Sequence, residues 1–300
     1  MRATIVRQYG GPEVLESVEL ATPEPGAGEI RIAVAAAAVN PVDAATRTGY
    51  LEHIVRGRLP LGLGWDVAGS IDAIGAGVTG FAAGDAVIAL NDRIAAPTGG
   101  YASHVIVPAA AAAPAPAGAD PAAAATLPLN ALTADQALDM LGLEAGQTLL
   151  VTGAAGAVGE YTVALAAERG LKVIGLARPD DADDVLGRGA AQFVTTVEGV
   201  YDVDAVVDAA MIGPAALAAV RAGGKFIGVN DPATPPAERG VEVSTVHVHH
   251  DGARLAELVA AVEVGRLRLR VAGRYPLAEA GRAQERLAAG GLRGRLVLIP

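Results

Sequence analysis

The sequence predicts a two-domain α/β protein, in which a β-barrel domain precedes a doubly wound parallel-sheet domain. Three observations support this prediction. The first hundred residues consist of short strand-like segments separated by glycine-rich turns, whereas strand-like and helix-like segments alternate from Pro121 onward. A glycine-rich run from Gly153 to Gly159 follows directly on an apolar strand. In addition, the length of 300 residues exceeds the usual size of a single domain.

The N-terminal strands are predicted from alternating hydrophobicity and from the turns that bound them. Residues 3–7 and 14–18 flank the turn Gly10-Gly11-Pro12, a pattern typical of a hairpin. Residues 29–36 alternate between larger apolar side chains and others, which indicates a half-buried strand. Further strands bounded by glycine are predicted at residues 67–74, 86–90 and 102–107. The many glycines of this region suit a tightly turning β-barrel.

The second half shows the alternation of βαβ units, which build a parallel sheet. Ala- and Pro-rich residues 109–119 are predicted to be a surface connector. Helices are predicted at residues 131–141, 158–169, 214–221, 255–264 and 277–289. Strands are predicted at residues 148–152, 172–177, 205–208, 225–229 and 295–299. The last strand has no obvious place in the parallel sheet, so we expect it to return to the N-terminal domain.

Composition and charge exclude several classes of protein. The net charge of -10 disfavours a nucleic-acid binder, and the arginines between residues 254 and 295 are interleaved with glutamates, as on a solvated helical surface. The absence of cysteine excludes disulfides, thiol nucleophiles and thiolate metal sites. The N-terminus lacks an apolar signal region, and prolines break the apolar stretch 105–129. We therefore expect a soluble, cytoplasmic protein without a membrane span.

The run Gly153-Ala154-Ala155-Gly156-Ala157-Val158-Gly159 has the spacing of a dinucleotide-binding turn. Gly153 would permit the tight turn, Gly156 would let a diphosphate approach the backbone, and Gly159 would let the helix pack on the sheet. The helix N-terminus, with Gly156, Ala157 and Val158, would present N–H groups and a partial positive charge to the phosphates. The strand–turn–helix context therefore predicts a bound dinucleotide.

The end of the next strand distinguishes between the two nicotinamide cofactors. NAD enzymes place a carboxylate about twenty residues past the glycines, against the ribose 2′-hydroxyl. Here the strand ends on Gly175-Leu176-Ala177-Arg178, without an acid. Arg178 could pair with a 2′-phosphate, and we therefore expect NADPH. It could also be an ordinary surface arginine, and the aspartates at positions 180, 181, 183 and 184 would repel a phosphate if they faced it.

A series of motifs resembles the quinone oxidoreductase (zeta-crystallin-like) branch of the medium-chain dehydrogenases/reductases along nearly the whole chain. Besides the glycine run, these motifs are Val39-Asn40-Pro41-Val42-Asp43, Arg47-Thr48-Gly49, Leu63-Gly64-Trp65-Asp66-Val67-Ala68-Gly69, Gly84-Asp85-Ala86-Val87, Gly99-Gly100-Tyr101-Ala102, Leu132-Thr133-Ala134, Asp204-Ala205-Val206-Val207-Asp208 and Gly223-Gly224-Lys225-Phe226. Each motif is modest alone, and their common order and spacing make the resemblance specific.

The resemblance implies an architecture and partners. Residues 1–118 and 268–300 would form a GroES-like catalytic domain, and residues 119–267 a Rossmann NADP-binding domain. The active site would lie in the cleft between these domains, and the protein would be a homodimer. Its partner would be a small-molecule quinone or enone, and the last strand would rejoin the first domain.

The resemblance also implies site residues. Asn40 and Asp43 would shape the substrate side, and Asn40 would also lie near the nicotinamide. Thr133 and the loop around Gly228 and Val229 would lie close to the cofactor as well.

For the catalytic candidates the residues leave alternatives open. Asn40 and Asp43 could instead form the turn and cap of a helix, because Asn-Pro-Val-Asp is a good helix start. Some quinone reductases have a tyrosine where Ala45 stands, so that polar contact is missing here. Tyr50 and Tyr101 are therefore candidates to orient the substrate or to donate a proton, although water could also supply the proton.

The zinc-binding alcohol dehydrogenases of this superfamily have a cysteine where Val39-Asn40 stands and Gly-His-Glu where Gly64-Trp65-Asp66 stands. Neither is present, so we expect no metal site. His247 and His249 would share one face of a strand, but two histidines without a third ligand seldom bind zinc, and a structural role is the better interpretation. Without a Lewis acid, alcohol oxidation is disfavoured.

Hydride addition to an electrophilic quinone needs no metal, so we expect a zinc-independent, NADPH-dependent quinone reductase. A reductase of enones or enoyl thioesters uses the same hydride step and is an alternative. A non-catalytic NADPH-binding sensor or structural protein is an alternative of another class, because no general acid is evident. RNA binding suits neither the acidic charge nor the scarcity of aromatic residues.

Overall fold

A computed structural model describes residues 1–94 and 96–300, which form two compact units. Unit 1 consists of Met1–Leu129 and His249–Pro300, and unit 2 consists of Asn130–Val248. These bounds differ from the domain limits at 118/119 and 267/268 that the motifs indicated. One reason is that residues 252–263 pack on the strand at residues 112–114 and so belong with unit 1.

Unit 1 is rich in strands, whereas strands and helices alternate through much of unit 2. The strands are β1 (Arg2–Val6), β2 (Leu15–Glu19), β3 (Glu29–Val39), β4 (Leu61–Gly62), β5 (Asp66–Ile74), β6 (Ala86–Leu90), β7 (His104–Pro108), β8 (Ala112–Pro114), β9 (Thr148–Thr152), β10 (Lys172–Leu176), β11 (Gln192–Val194), β12 (Val203–Asp208), β13 (Val220–Gly228), β14 (Glu242–Thr245), β15 (Val271–Pro276) and β16 (Arg295–Ile299). The helices are α1 (Pro41–Arg47), α2 (Glu52–Val55), α3 (Pro121–Ala124), α4 (Pro128–Leu141), α5 (Ala157–Glu168), α6 (Ala182–Leu186), α7 (Pro214–Ala219), α8 (Gly252–Glu263) and α9 (Ala280–Ala288).

In unit 1 the long strand β3 is an interior strand of the larger sheet. It pairs antiparallel with β5, β7 and β16, and the sheet has the order β15-β16-β3-β5-β6-β8. A smaller sheet has the order β2-β1-β4, and its β1–β2 hairpin is the one that the sequence predicted. The predicted return of the last strand is also confirmed, because Leu296 of β16 pairs with Val39 of β3.

The core of unit 1 follows from the alternation of side chains along β3. Ile30 and Ile32 are fully buried, and Val34 nearly so, because successive strand residues point to opposite faces and these three share one face. They join buried side chains from β5, β6 and β7 in a single hydrophobic cluster. Burial of this face therefore fixes the register of the strands in the sheet.

Unit 2 is built on a parallel sheet with the order β11-β10-β9-β12-β13-β14. Every neighbouring pair runs parallel. Numbered within the unit, this order is 3-2-1-4-5-6, the doubly wound order that binds dinucleotides. The predicted fold class is therefore confirmed: a mainly antiparallel unit accompanies a parallel nucleotide-type sheet.

Some local predictions were wrong. The Ala- and Pro-rich stretch predicted as a connector contains β8, which pairs with β6, because small alanines at 112 and 113 bury easily against that strand. The predicted helix at 214–221 ends at Ala219, and β13 starts at Val220. His247 and His249 lie beyond the end of β14 and are not in a strand, so the alternation assumed for them does not apply.

Within the part of the chain that the structure describes, no helix has both the length and the hydropathy needed to cross a membrane.

Candidate functional site

The glycine run forms a tight turn between β9 and α5. Gly153 has a φ of +60°, a left-handed conformation that glycine adopts without strain. A Cβ on Gly159 would lie 2.1 Å from the Gly153 carbonyl oxygen, so α5 can approach the turn this closely because residue 159 is glycine. These two glycines therefore set the shape of the turn.

Gly156 leaves open space in front of that turn. Apart from Gly156 itself and the residues adjacent to it in the chain, the Gly153 carbonyl oxygen, at 3.1 Å, is the one described atom within 4 Å of the position that a Gly156 Cβ would take. Gly156 is the N-cap of α5, so the N–H groups of Ala157 and Val158 lie in the first helical turn and have no carbonyl partner within the helix. Such an N-terminus attracts a diphosphate. The turn fits the phosphates of a dinucleotide.

A buried carboxylate fixes the loop that follows β12, which we call the 209–213 loop. Asp208 accepts hydrogen bonds from the Thr152 hydroxyl at 2.5 Å and from the Gly213 N–H at 2.7 Å. The Ala210 N–H in turn donates to the Thr152 hydroxyl oxygen at 2.9 Å. The 209–213 loop is thereby tied to the end of β9, beside the glycine turn.

The loop after β13 folds back on its own strand. A Cβ on Gly228 would lie 2.0 Å from the Thr234 hydroxyl oxygen, and that hydroxyl donates to the Asn230 carbonyl at 3.0 Å. Val229 follows Gly228 and is half-buried. Because β9, β12 and β13 are neighbours and run parallel, the three loops that follow them share one edge of the sheet. This carboxyl edge is where open parallel sheets bind nucleotides.

Arg178 lies just past the end of β10, with 58% of its side chain exposed. Its Nε donates to the carboxylate of Asp181 at 3.1 Å, and Asp181 is itself buried. Asp184 pairs with Arg188. Two of the four aspartates that could have repelled a 2′-phosphate are thus each paired with an arginine.

Unit 1 contains a buried polar cluster built around Asp43. One carboxylate oxygen accepts from the Asn40 backbone N–H at 2.8 Å and from the Tyr101 hydroxyl at 3.0 Å. The other accepts from the Gly64 N–H at 2.9 Å. Asp43 is the third residue of α1 and completes a capping box with Asn40. The helix-capping role that the sequence left open for Asp43 is therefore present.

Asp66, at the start of β5, extends this cluster. It accepts from the Asn40 side-chain amide at 2.7 Å and from the Leu129 N–H at 2.6 Å. Asn40 consequently bridges two carboxyl groups, through its backbone to Asp43 and through its side chain to Asp66. All three side chains are fully buried.

Burial changes the acidity of the cluster. Desolvation raises the pKa of Asp43 to about 6 and that of Asp66 to about 7, because a buried site penalises the charged form. The hydrogen bonds that the two groups accept and the positive charge of Arg295 counteract part of this effect. Burial, with the charge of Asp43, also raises the pKa of Tyr101 well above its usual value. The two carboxyl groups can therefore gain or lose a proton near neutral pH.

The structure brings together some of the predicted catalytic residues and separates another. Asn40, Asp43 and Tyr101 belong to the buried cluster, whereas Tyr50 lies in the turn before α2 and is 50% exposed. Thr133 is a buried residue of α4 in unit 2. Direct contact with a substrate is thus easier for Tyr50 than for the buried members of the cluster.

Two acids with evident structural roles were not among the predicted site residues. Asp66 begins the strand β5 and Asp208 ends the strand β12, and each accepts several hydrogen bonds. The sequence feature that could have identified them is an acidic residue at one end of a buried strand, where a charged side chain needs hydrogen-bond partners. Both aspartates belong to motifs in the sequence, but Asn40 and Leu129, which bond to Asp66, and Thr152, which bonds to Asp208, are distant in sequence.

The positions at which zinc-binding relatives carry their ligands do not suit zinc here. Asn40 and Asp66 occupy these positions and are hydrogen-bonded to each other. Neither a thiolate nor an imidazole is among them, although these are the groups that structural and catalytic zinc sites use most. In the described ranges, 1–94 and 96–300, no group of three or more His, Cys, Asp or Glu side chains could hold a metal ion.

Comparison with known proteins places this geometry in a family. A model described as "Alcohol dehydrogenase GroES-like domain" matches residues 26–117, and one described as "Zinc-binding dehydrogenase" matches residues 181–298. The chain is 35% identical to rat (Rattus norvegicus) quinone oxidoreductase over 204 residues, which is 67% of this chain and 60% of that protein. It is 31% identical to a chloroplastic NADPH-dependent alkenal/one oxidoreductase of Arabidopsis thaliana, covering 100% of this chain and 80% of the relative.

Solved structures agree with this placement. The quinone oxidoreductase of Coxiella burnetii superposes with a TM-score of 0.89 at 27% identity, covering 100% of this chain and 99% of that one. A mycobacterial protein solved in complex with NADPH superposes with a TM-score of 0.86 at 29% identity over the full length of both chains. The non-catalytic alternative is thereby set aside. The chain belongs to the medium-chain dehydrogenase/reductase superfamily, in its quinone oxidoreductase-like branch, and is an NAD(P)H-dependent oxidoreductase.

Proposed function

We propose that this protein transfers a hydride from NADPH to a quinone or a related electrophilic carbonyl compound, without zinc. The observation that carries the proposal is the open glycine turn at the start of α5, in a chain whose zinc-ligand positions hold a mutually bonded Asn40–Asp66 pair. An acceptor that is already electrophilic needs no Lewis acid, whereas alcohol oxidation is helped by one.

When bound, NADPH supplies the hydride, and the chain supplies its binding and orientation. Gly156, Ala157 and Val158 would hold the diphosphate with backbone N–H groups. Arg178 would pair with the 2′-phosphate, because the bond to Asp181 engages Nε and leaves the two terminal amino groups of the guanidinium outside that bond.

We assign contact with the nicotinamide of NADPH to Thr133, Gly228 and Val229, because the family resemblance implies it. Gly228 supports this assignment because it ends β13 at the same sheet edge as the glycine turn.

On the substrate side we propose Asn40 as the orienting residue, with Asp43 and Tyr101 holding it through the buried cluster. The exposed Tyr50 is the candidate for direct contact with the acceptor. Reduction of a quinone produces a relatively stable anion, so water can deliver the proton.

The proposal is tested by measuring kcat/KM with NADPH for 9,10-phenanthrenequinone, an alkenal and an enoyl thioester under the same conditions. We expect the quinone to be the best acceptor and dialysis against a chelator to leave the rate unchanged. A rate that falls on chelation and returns with zinc would contradict the proposal.

Reduction of α,β-unsaturated carbonyl compounds is the second candidate. It is favoured by the similarity over the whole chain to a protein named for NADPH-dependent reduction of alkenals and alkenones. Both activities use the same nucleotide site, so the acceptor comparison decides between them. A higher kcat/KM for the alkenal than for the quinone would select this candidate.

We also propose that the protein is a homodimer, as the family resemblance implies. Light scattering coupled to size exclusion would give about twice the chain mass of 30.0 kDa if this is correct.

A further inference from the structure

Met211 lies in the middle of the 209–213 loop and is held there by its neighbours. Its φ of +57° is a left-handed conformation that residues with a side chain seldom adopt. On its C-terminal side, Asp208 accepts from the N–H groups of Ile212 at 3.2 Å and Gly213 at 2.7 Å. The side chain of Met211 is 49% exposed. The loop therefore holds a thioether at the surface of unit 2.

The thioether joins two of the loops at the carboxyl edge of the sheet. The side-chain amide of Asn230, in the loop after β13, donates to the sulfur of Met211 over 3.6 Å. On the other side of Met211, the backbone nitrogen of Ala210 lies 3.1 Å from the position that a Gly153 Cβ would take. Met211 consequently lies between the glycine turn and the loop after β13.

We propose that Met211 is a site of oxidation by hydrogen peroxide, that a bound nucleotide shields it, and that its oxidation weakens nucleotide binding. This inference rests on the proposed function, which places the nucleotide at this sheet edge. Peroxide transfers one oxygen atom to the sulfur: the thioether loses two electrons and becomes a sulfoxide, and the peroxide is reduced to water. Hydroquinones, the products of the proposed reaction, release peroxide when they react with oxygen.

The sulfoxide has a different shape and polarity from the thioether. Its oxygen is a strong acceptor placed where the sulfur now bridges Asn230 and the 209–213 loop. Because Asp208 fixes the backbone next to Met211, the loop has little freedom to turn the modified side chain away. The added oxygen would therefore occupy space between the 209–213 loop and the loop after β13.

A second exposed methionine of the same chain serves as an internal control for this reaction. Met140, near the end of α4, is 45% exposed, close to the 49% of Met211. The full-length protein would be treated with hydrogen peroxide, with and without saturating NADP⁺, and the sulfoxide in each methionine peptide followed by mass spectrometry. We expect NADP⁺ to slow oxidation of Met211 about fivefold or more while Met140 oxidises at an unchanged rate.

The consequence for binding is measured by calorimetry on the same samples. Peroxide treatment should raise the Kd for NADPH roughly tenfold in the wild-type protein. Met211→Leu keeps an apolar side chain of similar size that cannot be oxidised, so its Kd for NADPH should be the same before and after treatment. If NADP⁺ binds but Met211 oxidises as fast as without it, the inference is overturned and the proposed function stands. If calorimetry shows no nucleotide binding to untreated protein, the proposed function fails.

Discussion

Replacement of Arg178 by alanine tests the cofactor assignment at the residue that decides it. The guanidinium is the group available at the end of β10 to pair with a 2′-phosphate, which NADPH has and NADH lacks. We expect Arg178→Ala to weaken NADPH binding and to leave NADH binding nearly unchanged. The preference for NADPH should therefore collapse toward equal affinity for the two cofactors.

The size of the effect follows from the exposure of the side chain. A charge-assisted hydrogen bond to a phosphate contributes about 1.5–3 kcal/mol. Arg178 is 58% exposed, so water and salt screen the contact and the lower part of that range applies. A loss of about 1.5 kcal/mol, at the lower end of that range, corresponds to a Kd that is roughly tenfold higher. The loss should shrink further at high ionic strength.

The assay is calorimetric titration of wild-type and variant protein with NADPH and with NADH at the same salt concentration. Asp181→Asn is the matched control, because it removes the negative charge next to Arg178 without removing the guanidinium, and it should not weaken NADPH binding. Thermal unfolding of each variant separates a binding effect from a folding effect. Equal losses for both cofactors in Arg178→Ala would show that another residue recognises the 2′-phosphate.

Three further predictions concern the glycine turn, the loop clamp and the buried acids. Gly159→Ala should lower the free energy of unfolding by roughly 1–3 kcal/mol, because its Cβ would meet a backbone oxygen at 2.1 Å. Gly156→Ala should lower it less in the same urea titration, because its Cβ would meet that oxygen at 3.1 Å, but it should weaken the binding of both nucleotides. Equal losses of stability in the two variants would contradict this contrast. Thr152→Val should weaken nucleotide binding because it removes the hydroxyl that joins Ala210 to Asp208. Thr152→Ser keeps a hydroxyl and should bind the nucleotide like the wild-type protein in the same titration. Since burial raises the pKa of Asp66 from 3.8 to about 7, its contribution to stability is fully present below the unfolded pKa and is lost as pH rises through about 7. Urea unfolding at several pH values should show this fall in the wild-type protein and a smaller one in Asp66→Asn; identical slopes would contradict the assignment.

The nucleotide turn could be predicted from the sequence because its determinants are local. An apolar strand, three glycines at fixed spacing and a helix start lie within residues 148–168, and each glycine acts on atoms of the same turn or of a loop against it. The return of β16 to the first unit was also predictable, because the last strand had no obvious place in the predicted parallel sheet. The resemblance to the family then extended these local features to the whole chain.

The buried cluster could not be predicted in the same way. Asp66 is bonded to Asn40 and to Leu129, which lie 26 and 63 residues away in sequence, so nothing near Asp66 reveals its partners. The strand β8 was missed for a related reason. Its Ala- and Pro-rich sequence has no β propensity of its own, and pairing with β6 supplies the order. Such tertiary contacts decide which polar groups are buried.

The position of β16 in the larger sheet affects the order in which the two units can fold during translation. β16 is an interior strand, between β15 and β3, yet its residues emerge some 250 positions after those of β3. All strands of unit 2 are made before residue 249, so that unit can fold during translation while β3 pairs with β5 but still lacks β16, its partner at Ala37, Ala38 and Val39 on the other side. Deletion of β16 would therefore remove an interior strand of the sheet and leave β15 without its partner, which is a larger disruption than the loss of an edge strand.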